Sequence, residues 1–484
     1  MRSMSYIANS YLLLVLISVV NIHSSLNAQE QTSDIAAKLA EICRKHDVPA
    51  MTAAVVNTKG LVTSNSFGVR KQGTSENVEL SDRFPIGSNT KSMTATLAAV
   101  MVEASKIDWD TTIGDVWPKA TDKDLHPKLR KITLDQLLSH QGGLPGNISD
   151  LSSEAWAKHF EEKQSPTLER KGMLKLALSR APSQPQGKFA YSNLGYAIAS
   201  AMLETRGQDS FESLMKKHVF DPLEMQSADF RTLKSAQQLQ PPLLWGHQAD
   251  KGKPVDPRTQ GAENPSVYAA AGTVHLSIED YAKYARWHLA SKPAPVLRSQ
   301  NSFDHLHKPQ VDYNIPGAKY GCGWICIDTP NGLALSHAGS NTNTFSVIRV
   351  LPDADFAAVV CTNSGEAQAF PACDEMISHL MTKYAATAKD AKPAAEQSKV
   401  APERLVGRYQ LTPNFIFDVK LKDGHLMVGI TNQPTQEVFS DSPTKWSYHG
   451  IDAKLEFHLR AEGPSYAVTL HQNGTAQKAN RIRD

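Results

Sequence analysis

Three short motifs carry side chains whose types and spacing suit nucleophilic chemistry: Ser88-Asn89-Thr90-Lys91, Tyr191-Ser192-Asn193 and His337-Ala338-Gly339. A hydroxyl and an amine at i and i+3 share one face of a helix, so Lys91 can reach Ser88. The second motif adds a phenol and an amide, the third an imidazole beside a glycine. Together they supply a nucleophile, proton carriers and donors for acyl transfer without a Ser-His-Asp triad. Ser-x-x-Lys recurs at Ser213–Lys216 and Ser442–Lys445, where nothing around it suggests more than surface. Ser88 differs in context, with Pro-Ile-Gly before it and a helix opening at it, where free N–H groups and the positive dipole end converge. His-x-Gly also occurs at His140–Gly142. That copy follows a helix, whereas His337 lies at a strand end that can present a side chain and a backbone N–H together, so His337 is preferred.

The elements that must position these groups are legible in the apolar spacing. Ser33 and Asp34 are expected to cap a helix through Ile35, Leu39 and Ile42. A hairpin follows around Asn57-Thr58-Lys59-Gly60, then the Ser88 helix with Met93, Leu97, Val100 and Met101 on one apolar face. From Leu134 to Trp287 the pattern is mainly helical. Thr133 caps Leu134–Leu138, and Ser277 with Asp280 forms an acidic capping box. Strands are expected at Tyr320–Ile327, Leu333–His337, Phe345–Leu351 and Phe356–Cys361, then a helix through Cys373, Ile377, Leu380 and Met381. Strands at both ends and helices between them predict one sheet built from distant segments, with an inserted helical lobe.

Around this unit the chain changes character. At 484 residues it exceeds one ordinary domain. Arg2, the predominantly apolar ten-residue stretch Tyr11–Val20 and Ala28 before Gln29 read as a signal peptide over residues 1–28. The protein is therefore expected to be exported, periplasmic or extracellular, with no membrane span once the signal is cleaved. The hydrolase domain is placed at 29–384, an Ala-, Lys- and Glu-rich linker at 385–402, and a small all-β, barrel-like domain at 403–484. Its turns are expected at Lys422-Asp423-Gly424, His449-Gly450 and Gln472-Asn473-Gly474. Five cysteines are an odd number for an exported chain. Cys322 and Cys326, four apart in one strand, would stand roughly 13 Å apart, too far to bridge, and buried free thiols are expected.

Composition narrows the class. Hydrophobic content of 41%, charged content of 21% and a net charge of +2 fit a soluble globular protein and give no reason to expect a nucleic-acid partner. There is no Gly-x-Ser-x-Gly elbow, no His-Glu-x-x-His and no Gly-rich phosphate loop. Asp304-His305-Leu306-His307 reads as a histidine pair in a solvated loop rather than a metal site. No cofactor or metal is expected, the partner is a small-molecule or peptide substrate, and the oligomeric state is left open.

The motifs, in order and spacing, resemble the serine β-lactamase-like superfamily, in the branch of class C β-lactamases, D-Ala-D-Ala carboxypeptidases, D-aminopeptidases and esterases. Phe84–Lys91, Leu137–Pro145, Tyr191–Gly195, Tyr320–Trp324 and His337–Phe345 carry the likeness, which covers about Ile35 to Met381. Leu405–Ile482 resembles the lipocalin-like β domain of some members. The resemblance implies an α/β (α+β) catalytic domain, an antiparallel sheet flanked by helices with a helical lobe. It implies Ser88 as nucleophile, Lys91 and Tyr191 as proton carriers, and Asn193 as their positioner. The backbone N–H groups of Ser88 and Ser340 would form the oxyanion hole, with His337 and Gly339 facing substrate. Class C β-lactamases have lysine where this chain has His337. A histidine is a cation only below its pKa of about 6.5, which favours small esters, D-amino-acid amides or peptides as substrates. The alternatives are a D-Ala-D-Ala carboxypeptidase, a weak class C-like β-lactamase, or a catalytically slow penicillin-binding-like ligand-binding or assembly protein.

Overall fold

A computed structural model describes residues 34–482 apart from 249–251, 291, 316, 330–331, 386–400, 414, 423–424, 432–434, 441–443, 449–452, 461 and 473–474. The expected signal peptide, the capping residue Ser33, most of the linker, and residues of the three barrel turns lie outside the described residues. The first unit is built on an eight-stranded antiparallel sheet. Helix α1 (34–46) precedes β1 (Ala50–Asn57) and β2 (Gly60–Gly68). Next come α2 (Thr90–Glu103), α3 (Leu134–Leu138), α4 (Asn193–Gly207), α5 (Ile278–Trp287) and α6 (Gln300–His307). The sheet resumes with β3 (Val311–Asp312), β4 (Ala318–Tyr320), β5 (Ile325–Thr329), β6 (Gly332–Ser340), β7 (Phe345–Leu351) and β8 (Phe356–Thr362). Helix α7 (Ala369–Leu380) closes the unit. The spatial order is β2-β1-β8-β7-β6-β5-β4-β3, so the first hairpin joins the late strands through β1 and β8.

Strand periodicity explains the layering. In β1, Ala50, Ala54 and Val56 enter one core while Met51, Ala53 and Val55 enter the other. In β8, Ala357, Val359 and Cys361 oppose Phe356, Ala358 and Val360 in the same way. Alternate side chains point to opposite faces, so a strand apolar at nearly every position must be covered on both. Ile35, Leu39 and Ile42 of α1 and Cys373, Ile377 and Leu380 of α7 cover one face. The other carries the helical lobe and α2. Each fully buried Leu, Ile or Val contributes about 1.5–3 kcal/mol.

Four details differ from the sequence reading. Helix α2 is buried on nearly every side, Thr90 to Thr96 included, because it runs through the larger core instead of resting one face upon it. Its polar residues are satisfied locally: Thr94 Oγ1 donates to Ala270 O and Ser92 Oγ to Asn89 O. The expected strand Tyr320–Ile327 is a hairpin, with Tyr320 facing Ile325 across a turn at 321–324. Gly323 makes that turn at φ +76°, and a Cβ there would stand 2.5 Å from Ser92 N. Cys322 and Cys326 thus do not share a strand, although all five cysteines are buried free thiols, as expected. Ser277 does cap α5, accepting from Asp280 N–H at 3.3 Å. The Asp280 carboxylate, however, accepts from Ser227 N–H at 2.6 Å, because the neighbouring loop offers a closer donor than the cap backbone. Finally, Asp304–His307 is helical, the C-terminal half of α6, with Phe303 and Leu306 supplying its buried side.

The second unit is a closed eight-stranded barrel, comprising β9 (Gly407–Thr412), β10 (Phe415–Lys422), β11 (His425–Ile430), β12 (Gln436–Ser440), β13 (Lys445–Tyr448), β14 (Ala453–His458), β15 (Ala467–Gln472) and β16 (Thr475–Ile482). Strands run as a meander closed by β9 on β16, so no edge is left unpaired. Tyr409, Phe417, Val428, Leu455 and Phe457 fill a core of its own. Among the described residues no helix is long and apolar enough to cross a membrane. Residues 401–484 expressed alone are expected to unfold in one cooperative transition. Circular dichroism with a thermal melt checks this, and a featureless, non-cooperative trace would contradict it.

Candidate active site

Ser88 sits in a single 3-10 turn, Gly87–Asn89, directly before α2. Asn89 anchors the turn: its Nδ2 donates to Ile86 O and to Ser346 Oγ at 2.6 Å on β7. Lys91, the second residue of α2, places Nζ 3.0 Å from Ser88 Oγ. Tyr191 arrives from the loop before α4, capped by Ser192, and donates from its hydroxyl to Ser88 Oγ at 2.7 Å. Asn193 opens α4 and accepts from Lys91 Nζ through Oδ1 at 2.7 Å. Its Nδ2 donates to Asn147 Oδ1 at 2.9 Å, which fixes the amide orientation. The structure therefore brings Ser88, Lys91, Tyr191 and Asn193 into one hydrogen-bonded group. Ser213–Lys216 lies elsewhere, at the end of a short helix.

The charge state of Lys91 decides what the group can do. Its side chain is fully buried, and desolvation holds its pKa well below the ordinary lysine value. A neutral amine has two N–H donors and one lone pair. Asn193 Oδ1 and Ala271 O, each at 2.7 Å, can only accept, so they take both donors. The lone pair is left for the third neighbour, Ser88 Oγ, whose proton it can receive. The Tyr191 phenol is raised above its ordinary pKa, mainly by desolvation against the opposing pull of its Ser88 hydrogen bond. Although 38% of the residue is exposed, its hydroxyl stays protonated and remains a donor.

On the opposite wall, β6 carries His337, Gly339 and Ser340. Gly339 is pressed against the Ser88 turn: a Cβ there would lie 2.0 Å from Ile86 O and 2.7 Å from Ser88 N. A Cβ on Gly87 would lie 2.4 Å from Ser340 N, so the Ser340 amide adjoins the nucleophile turn. His337 is 4% exposed. Its Nδ1 donates to Ala338 O at 2.7 Å, and its Nε2 accepts from Tyr320 O–H at 3.0 Å. Desolvation, then the charge of Lys91, lowers its pKa to about 3. His337 is therefore a neutral ring through the physiological range, with both nitrogens occupied.

Sequence reasoning passed over two neighbours. Asn147, which orients Asn193, lies in a loop with no motif to mark it. His140, set aside as the lesser His-x-Gly copy, packs its ring 4.3 Å from that of Tyr191. Away from this group, the supposed loop histidines are engaged. His305 Nε2, Gln310 Nε2 and Cys322 Sγ surround one oxygen of Asp135 at 2.8, 3.0 and 3.5 Å. Asp135, His305 and Cys322 are the one group of possible metal ligands among the described residues. Burial and the Asp135 carboxylate hold the Cys322 thiol well above its ordinary pKa, which opposes thiolate ligation.

The family model for Beta-lactamase matches residues 33–378. The chain belongs to this family, whose proteins are generally serine hydrolases. It is 25% identical over 338 residues to Penicillin-binding protein 4 of Amycolatopsis lactamdurans, covering 67% of this chain and 84% of that protein. Unguisins hydrolase ungD of Aspergillus violaceofuscus is 26% identical over 260 residues, covering 52% of this chain and 44% of that protein. The octameric penicillin-binding protein homologue from Pyrococcus abyssi superposes with a TM-score of 0.59 at 19% identity, covering 93% of this chain and 99% of that one. A D-stereospecific amidohydrolase from Streptomyces sp. gives 0.56 at 20% identity, covering 72% and 97%. These two likenesses show the β-lactamase-like fold.

A group whose folded pKa is depressed contributes stability above its unfolded pKa and loses it as pH falls. His337 should therefore destabilise the fold progressively from about pH 6.5 down to about 3. Its imidazole NMR signals should not titrate between pH 4 and 8. A His337→Gln variant should show a shallower fall of Tm over that acid range, and a titration midpoint near 6.5 would contradict the assignment.

Proposed function

We propose that this protein is an exported serine hydrolase that acylates Ser88 and is deacylated by water. Its substrates are small esters, D-amino-acid amides or peptides that do not depend on a carboxylate for binding. The observation that carries this reading is the convergence on one hydroxyl of a phenol and a fully buried lysine amine, whose desolvation favours the uncharged form. As Ser88 Oγ bonds to the substrate carbonyl carbon, Lys91 Nζ takes the Oγ proton. The bond to the leaving atom then breaks as Tyr191 gives that atom its proton. The resulting phenolate lies beside the new ammonium, whose Nζ is 4.8 Å from the Tyr191 ring, and the proton returns between them. Water repeats the sequence on the acyl-enzyme. The backbone N–H groups of Ser88 and Ser340 would hold the oxyanion, commonly the largest single contribution to such catalysis.

The preference for neutral substrates follows from His337. A buried, neutral imidazole held by Tyr320 and Ala338 offers no fixed positive charge. This weighs against a carboxypeptidase or an efficient β-lactamase. A structural neighbour described as a D-stereospecific amidohydrolase is in keeping with amide substrates.

A fluorescent phosphonate is expected to label Ser88 stoichiometrically, and Ser88→Ala to lose the label together with at least about 10³-fold of ester turnover. Absence of labelling in the parent would sink the enzyme reading in favour of a ligand-binding protein on the same fold. Lys91→Ala and Tyr191→Phe should each cost nearly as much as Ser88→Ala, and the double variant scarcely more, because groups handling one proton act as a unit. Multiplying losses in kcat/KM would show two independent contributions instead.

A further inference from the structure

His140 follows α3 in the run Ser139-His140-Gln141 and takes φ +60°, a left-handed conformation that histidine adopts more readily than most side chains but still uncommonly. That conformation directs two acceptors of one residue at a single neighbouring segment. His140 O accepts from Ala190 N–H at 2.8 Å, and His140 Nδ1 accepts from Ser192 N–H at 3.1 Å. The residues on either side of Tyr191 are thus held by one residue. The ring is 1% exposed and packs between Tyr191, at 4.3 Å, and Tyr320, at 4.8 Å. Tyr320 in turn holds His337.

An imidazole can accept through Nδ1 only when that nitrogen is unprotonated. Burial keeps the His140 pKa well below its ordinary value, and a positive charge on Lys91 or His337 would lower it further. The single ring proton is on Nε2, which has no hydrogen-bond partner among the described residues. The other nitrogen, Nδ1, serves the backbone of Ser192, and the left-handed backbone aims it there.

We propose that His140 is a positioning residue for Tyr191, setting where the phenolic O–H stands relative to Ser88 and hence how well it protonates the leaving group. The inference rests on the acyl-transfer reading above. It makes a selective statement: loss of the Nδ1 acceptor should harm substrates whose leaving group needs a proton and largely spare those whose leaving group does not.

The test compares two esters of one acyl group, a p-nitrophenyl ester and an ethyl ester, in the parent and in three variants. His140→Asn keeps an oxygen at the place of Nδ1 and tolerates positive φ. His140→Gly keeps the backbone freedom without an acceptor. His140→Leu fills the ring space without an acceptor, and serves where glycine fails to fold. Assays are run well below each variant's Tm. Misplacement of a reacting group by about 1 Å can cost about 10²-fold. His140→Gly and His140→Leu should therefore lose about 10²-fold in kcat/KM, which reports acylation, on the ethyl ester and less than about tenfold on the p-nitrophenyl ester. His140→Asn should stay within about tenfold on both. Tyr191→Phe should also lose more on the ethyl ester than on the p-nitrophenyl ester, on top of the general loss expected from removing a proton carrier.

Equal losses on both esters, or an asparagine variant no better than glycine, would overturn the positioning role while leaving the hydrolase reading intact. If the parent shows no Ser88-dependent turnover of either ester, both readings fall together.

Discussion

The arrangement depends on one close approach of two backbones. Strand β6 crosses the Ser88 turn so tightly that a single methyl on Gly339 would sit 2.0 Å from Ile86 O, well inside any van der Waals contact. Gly87, at φ +51°, makes the reciprocal approach toward Ser340 N. The position of the nucleophile relative to the opposite wall is therefore set by main chain, which has little freedom, instead of by a rotatable side chain. Polar anchors finish the clamp: Ser346 Oγ donates to Ile86 O, and Thr344 Oγ1 to Pro85 O. Helix α2 inherits its direction from this turn, and with it Lys91.

This constraint also explains why α2 must be buried. A helix entering the core from a clamped start cannot lie on the surface, so the lobe has to close over it. That closure brings Ala271 O and Asn193 Oδ1 to Lys91. The amine is then desolvated by the same packing that orients it. Fold and reactivity share one cause here, since a more exposed α2 would leave Lys91 a solvated ammonium with no lone pair to offer.

Much of this was legible in the sequence because local pattern and tertiary role agree. The strand at Phe356–Cys361, the Thr133 cap and the Ser88 and Lys91 spacing each report a local geometry that the fold keeps. The failures fall where tertiary contact overrides pattern. Tyr320–Ile327 carries an apolar run that reads as one strand, yet Gly323 must turn to meet Ser92. Asp304–His307 looks polar in isolation, but Phe303 and Leu306 bury a helix. The two His-x-Gly copies could be ranked by flanking elements, whereas the use of His140 Nδ1 depends on a left-handed backbone that spacing does not reveal. The depth of the fall in the His337 pKa was equally hidden, because a pKa is set by neighbours drawn from distant segments.

The electrostatics of the site follow from crowding three basic groups into one buried volume. Lys91, His140 and His337 are each desolvated, and the charge of Lys91 would further penalise both imidazoles. Protonating any one makes the others harder to protonate, so the low-charge state is the one the fold favours. A site of this kind holds proton-accepting capacity without standing positive charge. A lysine at position 337 would supply a cation for carboxylates but would stand near the amine that must remain neutral to activate Ser88. Histidine avoids that conflict: it fills the wall, satisfies Tyr320 and Ala338, and in the proposed mechanism takes no part in the proton transfers among Ser88, Lys91 and Tyr191. On that proposal, substrate charge recognition is separated from nucleophile activation.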